Sequence, residues 1–97
     1  MSKPAYLVVD ARAKIPGRMD EYRRLAQVAV EKFGGRYLIR GARCEILEGE
    51  WRPERLVVVE FPDMRQARDF YDSPEYRAAR EARAGVSDFQ MLLVEGY

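Results

Sequence analysis

The segment over residues 55–61, RLVVVEF, is apolar on both faces of the strand it predicts. Strand side chains alternate between the two faces of a sheet. Leu56 and Val58 therefore point one way, and Val57, Val59 and Phe61 the other. An opening strand over residues 5–12 repeats the pattern, with Tyr6 and Val8 set against Leu7 and Val9. A chain of 97 residues suits one domain, residues 1–97, whose own helices cover one face of such a sheet. The second face needs a partner, and the two-faced strands predict an obligate homodimer.

The residue inventory narrows the chemistry. The net charge of +1 gives no sign of a polyanion partner, so nucleic acid is not expected. The single cysteine, Cys44, rules out an internal disulfide and fits a reducing, cytoplasmic setting. The start MSKPAYLVVD has too short an apolar run for a signal peptide, and no stretch approaches the ~18 apolar residues of a membrane span. There is no histidine. Ser-His-Asp and Cys-His catalysis and a histidine-ligated haem are excluded on that ground, and a structural zinc site is not expected. A carboxylate site for magnesium or calcium stays open, although no loop carries their ligand spacing; no metal and no cofactor are assigned.

Along the chain, Ile15-Pro16-Gly17 turns into a helix whose apolar stripe runs Met19, Tyr22, Ala26, Ala29, Phe33, widened by Leu25 and Val30. Gly34-Gly35 stops it. A long second strand is predicted over residues 36 to about 48, with a bulge at Gly41. The loop GEWRPE, residues 49–54, then closes a hairpin into the two-faced strand. Asp63 with Gln66 resembles a capping box before a short helix carrying Met64, Ala67, Phe70 and Tyr71. Ser73-Pro74 opens another helix, through Tyr76, Ala79 and Arg83 to Gly85. A last strand, residues 87–95, sets Phe89, Met91 and Leu93 against Leu92 and Val94. The order β-α-β-β-α-β predicts an α+β fold: a ferredoxin-like protomer with a four-stranded antiparallel sheet and its helices on one face. The bare face offers five or six apolar side chains, each worth about 1.5–3 kcal/mol when buried. No loop looks long enough to cover it, so two copies are expected to pack sheet on sheet.

Polar residues on that bare face are the candidate site. Asp10 and Arg12 share the face of Tyr6 and Val8, and Glu60 that of Leu56 and Val58. With the first and third strands taken as parallel neighbours, Asp10 and Glu60 lie side by side at one end of the sheet. Counting back through the hairpin sets Glu60 opposite about Arg43, and a bulge at Gly41 brings Arg40 to the same face. Two readings stay open: an ion-pair network that fixes dimer register, or a ligand pocket in which Asp10 and Glu60 act as acid and base. Trp51 either packs on the partner or lids the pocket. Tyr71 and Tyr76 read as core residues with hydroxyls at the surface. Arg77, Arg80 and Arg83 read as a solvated face, with an anion clamp as the alternative. Cys44 reads as a small core residue.

Several segments together carry a resemblance. They are Gly34-Gly35-Arg36-Tyr37, Arg40-Gly41, Glu48-Gly49-Glu50-Trp51, Val59-Glu60-Phe61-Pro62, Ser73-Pro74-Glu75-Tyr76, Arg83 and the ending Val94-Glu95-Gly96. Their order and spacing resemble the family called domain of unknown function 1330, of the dimeric α/β-barrel superfamily, over nearly the whole chain. The resemblance implies a ferredoxin-like protomer and a homodimer whose two sheets form a barrel-like core, a dimeric α/β barrel. It supplies no activity. The wider superfamily includes cofactor-free monooxygenases, lactone isomerases and haem enzymes, and the missing histidine sets this chain apart from the last.

Two kinds of function follow as expectations. One is a cofactor-independent oxygenase or isomerase acting on a small carboxylate or ring compound, with Asp10 or Glu60 moving protons and Arg40, Trp51, Tyr76 and Arg83 contacting the substrate. The other is a non-catalytic metabolite-binding or structural dimerisation module.

Overall fold

The computed structural model describes residues 3–97. The described chain runs β1 (Ala5–Ala13), α1 (Asp20–Lys32), β2 (Arg36–Arg40), β3 (Leu56–Phe61), α2 (Met64–Asp72), α3 (Pro74–Arg83) and β4 (Ser87–Glu95). The sheet order is β2-β3-β1-β4 and every neighbouring pair is antiparallel. This is the expected split arrangement, with the second crossover divided into two helices.

The division is written in local chemistry. The Asp63 carboxylate accepts the Gln66 N–H at 2.8 Å and starts α2. Gln66 does not reach back to close a capping box; its side-chain amide donates to Phe33 O at 2.9 Å and ties α2 to the end of α1. Ser73 is both stop and start. Its hydroxyl donates to Phe70 O at 2.7 Å and accepts the Tyr76 N–H at 3.1 Å, with Pro74 at the first helical position of α3.

The helices cover the face of β1 that carries Ala5, Leu7, Val9 and Ala11, all buried, together with Val59 and Phe61 of β3. Phe61, Phe70 and Tyr76 stack in series, with ring centroids 4.9 and 4.4 Å apart. The opposite face keeps large apolar groups in the open: Leu92 is 62% exposed and Val94 45%. The alternation expected for β1, β3 and β4 therefore holds.

Three expectations need correction. The first is strand direction. A helical crossover returns β2 parallel to β1, and the following reversal turns β3 antiparallel to it, so β1 and β3 are not parallel. Asp10 pairs with Leu56 and Glu60 with Tyr6. Four residues of strand, about 13 Å, separate the two carboxylate positions.

The second is the hairpin. β2 stops at Arg40 rather than near residue 48, and Gly41 follows at φ +73°. The bulge sits three residues earlier than Gly41, between Tyr37 and Ile39. Arg36, not Arg43, then faces Glu60, and their side chains pair at 2.7 Å. The third is Cys44, which is exposed rather than a core residue, because the segment it belongs to never joins the sheet.

Candidate functional site

A cavity of about 110 Å³ opens between α1 and the helix-facing side of the sheet. β1 contributes Leu7, Val9, Ala11 and Ala13 to its walls; α1 contributes Met19, Tyr22, Arg23, Ala26 and Val30. Two physical facts place it there. Alternation along β1 sends small and branched side chains toward α1, and small Ala11 and Ala26 leave room that larger residues would fill.

The inner wall is aromatic and hydroxylic. The Tyr22 and Tyr76 hydroxyls lie 2.7 Å apart, and Tyr22 meets Phe89 edge to face at 5.1 Å. Burial, the chief cause in both, pushes each tyrosine pKa up; for Tyr22 the neighbouring Tyr76 raises it further, while the hydrogen bond and Arg83 oppose the rise at Tyr76. Both phenols are therefore held protonated, as hydrogen-bonding groups rather than bases. Arg83 stands behind the pair, its guanidinium 4.1 Å from the Phe89 ring centroid and 5.7 Å from that of Tyr22.

The rim is charged. Arg23, Arg40, Arg55 and Glu54 line it, and Glu54 is its one carboxylate. That carboxylate accepts the Ala13 N–H at 2.8 Å, at the end of β1. Arg40 lies against the Tyr37 ring, 4.1 Å from its centroid. Burial lowers the Arg55 pKa, with Arg23 and Arg40 adding to the effect.

The residues singled out in the sequence divide between this cavity and elsewhere. Arg40 and Tyr76 line it; Asp10, Glu60, Trp51 and Arg83 do not. Asp10 is 4% exposed on the sheet's other face. It accepts hydrogen bonds from Trp51 Nε1 at 3.3 Å, Glu54 N at 3.1 Å and Arg12 Nη2 at 3.3 Å. Asp10 is thus the anchor of the irregular segment that leads into β3. Glu60 pairs with Arg36 at the far end of that face.

Tyr22, Arg23 and Arg55 were not singled out as site residues. A signal for Arg23 existed: it follows Met19 by four residues and precedes Val30 by seven, so it lies along the apolar face of α1. Arg55 likewise shares the helix-facing parity of Val57 and Val59. Among the described residues, no group of three or more Cys, Asp or Glu is arranged to hold a metal ion. None of the described helices is long and apolar enough to cross a membrane.

Comparison with known proteins agrees with the fold. The family model described as "Domain of unknown function (DUF1330)" matches residues 4–97. Among curated proteins, none matches the chain. Among solved structures, the chain is similar to the RPA0582 protein of unknown function from Rhodopseudomonas palustris, with a TM-score of 0.77 and 18% identity, covering 100% of this chain and 85% of that one. SnoaB, a cofactor-independent oxygenase from Streptomyces nogalater, superposes with a TM-score of 0.68 at 12% identity over 99% of this chain and 95% of its own. A dimeric protein of unknown function and ferredoxin-like fold from Bacteroides fragilis gives 0.61 at 14% identity, over 96% of each chain. At these identities the likeness is one of fold.

Proposed function

The chain belongs to the DUF1330 family, whose description assigns no reaction, and we propose from its cavity that it is a cytoplasmic homodimer binding one small molecule per protomer between α1 and the sheet. The observation that carries this reading is the cavity itself: apolar walls, a paired Tyr22–Tyr76 hydroxyl and a charged rim. Binding sites of this kind are concave and mostly apolar, with a few polar groups that orient the ligand. Benzene fits an enclosed apolar cavity of about 150 Å³. A space of about 110 Å³ accordingly takes a single ring or a short branched chain, with any head group standing in the mouth.

The dimer is supported by Leu92 and Val94, which stand exposed on the open face, and by the dimeric neighbour of the same fold. Asp10, Trp51 and Glu60 belong to that face. Their proposed role is to shape the subunit contact, whereas Arg40 and Tyr76 contact the ligand.

A second reading, cofactor-independent oxygenation or isomerisation, is supported by the activity of SnoaB and by Glu54, the one carboxylate in the cavity lining. Such a reaction needs a base for a substrate C–H proton. If the resulting carbanion gives its electron pair to dioxygen and the proton returns, a hydroperoxide forms with no further reductant. In that reading Glu54 takes the proton and the tyrosine pair holds the oxygen that gains charge.

A thermal-shift series with small ring compounds tests the binding reading. At a hundredfold excess over the dissociation constant, a bound compound stabilises the protein by about 2.7 kcal/mol. The variant A26L fills the cavity and abolishes the shift, and A13L at the mouth is the fallback should A26L fold poorly. Compounds that stabilise the filled variants as well as the parent would remove the reading.

A further inference from the structure

Resting on the cavity reading above, we infer that the mouth selects a compact apolar carboxylate, gripped by Arg23, Arg40 and Arg55. These three side chains come from α1, the end of β2 and the approach to β3, and all three line one opening. Three separate elements thus deliver like charges to one place.

Like charges brought together oppose folding unless something of opposite sign joins them. The chain supplies little of it. Among the described residues, Arg40 and Arg55 have no carboxylate partner within ion-pair distance, and Arg23 has only Asp20 at 3.4 Å on the exposed helix surface. Glu54, the rim's only acid, is engaged with the Ala13 N–H. The fall in the Arg55 pKa, caused first by burial and then by Arg23 and Arg40, reports the same crowding.

Local structure keeps the opening in this state. Gly41 sits where any Cβ would come within 2.2 Å of Arg55 Nη1, so the missing side chain leaves the space through which Arg55 reaches the rim. Tyr37 supports the flat face of Arg40 and leaves the N–H edges of the guanidinium free. A guanidinium offers donors in a planar fork that matches a carboxylate in two parallel hydrogen bonds. The apolar body then enters the cavity, where the Tyr22–Tyr76 pair at the inner wall caps its far end.

Calorimetric titration of the purified full chain with benzoate, benzamide, benzyl alcohol and phenyl phosphate tests the inference. Benzoate binds at least tenfold more tightly than the isosteric benzamide, and rising salt weakens benzoate alone. R40Q and R55Q each weaken benzoate at least tenfold and weaken benzyl alcohol far less, which separates loss of the anion contact from loss of the cavity. Equal binding of benzoate and benzamide, insensitive to R40Q, overturns the anion selection while the cavity reading stands. Tighter binding of phenyl phosphate than of benzoate overturns the choice of carboxylate. Failure of all four probes to bind overturns the selection and the cavity reading together.

Discussion

The tyrosine pair makes a prediction at the level of single residues. A free tyrosine titrates near pH 10, and burial raises the pKa of Tyr22 and Tyr76 above that in the folded chain. Above about pH 10 the native state therefore holds protons that the unfolded state has lost. The contribution of the pair is fully present below that pH and declines as pH climbs beyond it. Thermal unfolding measured from about pH 8 to 11 will show a midpoint that drops at the alkaline end, and the double variant Y22F/Y76F will show a shallower drop. Gly41 gives a second test. At φ +73°, with Arg55 Nη1 2.2 Å from where a Cβ would lie, G41A places an L side chain in the left-handed region against a guanidinium. A loss of about 1–2 kcal/mol in urea unfolding is expected.

At the scale of elements, the anchored segment between β2 and β3 is the part of the chain least tied to regular structure. Its hold on the sheet runs through Asp10, which bonds Trp51, the Glu54 backbone and Arg12. D10A removes three partners at once. Trp51 fluorescence will then shift and proteolysis will concentrate between residues 41 and 54, while the far-UV signal of the helices stays. The helices and three strands were legible in the sequence because each carries its own punctuation: Gly34, the Asp63 cap, the Ser73-Pro74 junction and the alternation of β4. β2 was not. Ile46 and Leu47 resemble strand residues, yet no strand among the described residues pairs with them, and Leu47 is 89% exposed. The side-by-side placement of the two carboxylates fails for a related reason: it needs a parallel pair of strands, whereas the hairpin return makes β1 and β3 antiparallel and sends Asp10 and Glu60 to opposite ends. The cavity depends on volumes left by Ala11 and Ala26, and empty space has no residue letter of its own.

For the whole molecule, the open face is where the proposed homodimer would form. Ile39 of β2 and Leu92 and Val94 of β4 stand exposed along it, and Val8, Leu56 and Val58 are only half-buried. Light scattering at micromolar concentration will report twice the subunit mass, and L92E will lower it toward one subunit while circular dichroism stays folded. A folded single subunit for the parent protein would exclude the sheet-to-sheet assembly. One strand serves both surfaces. In β1, positions 7, 9 and 11 look toward the cavity, and positions 6, 8 and 10 look away from it. On the proposed reading, a lineage carrying this scaffold can therefore retune the ligand its cavity takes by drift at alternate letters of a single word, without renegotiating the contact between subunits.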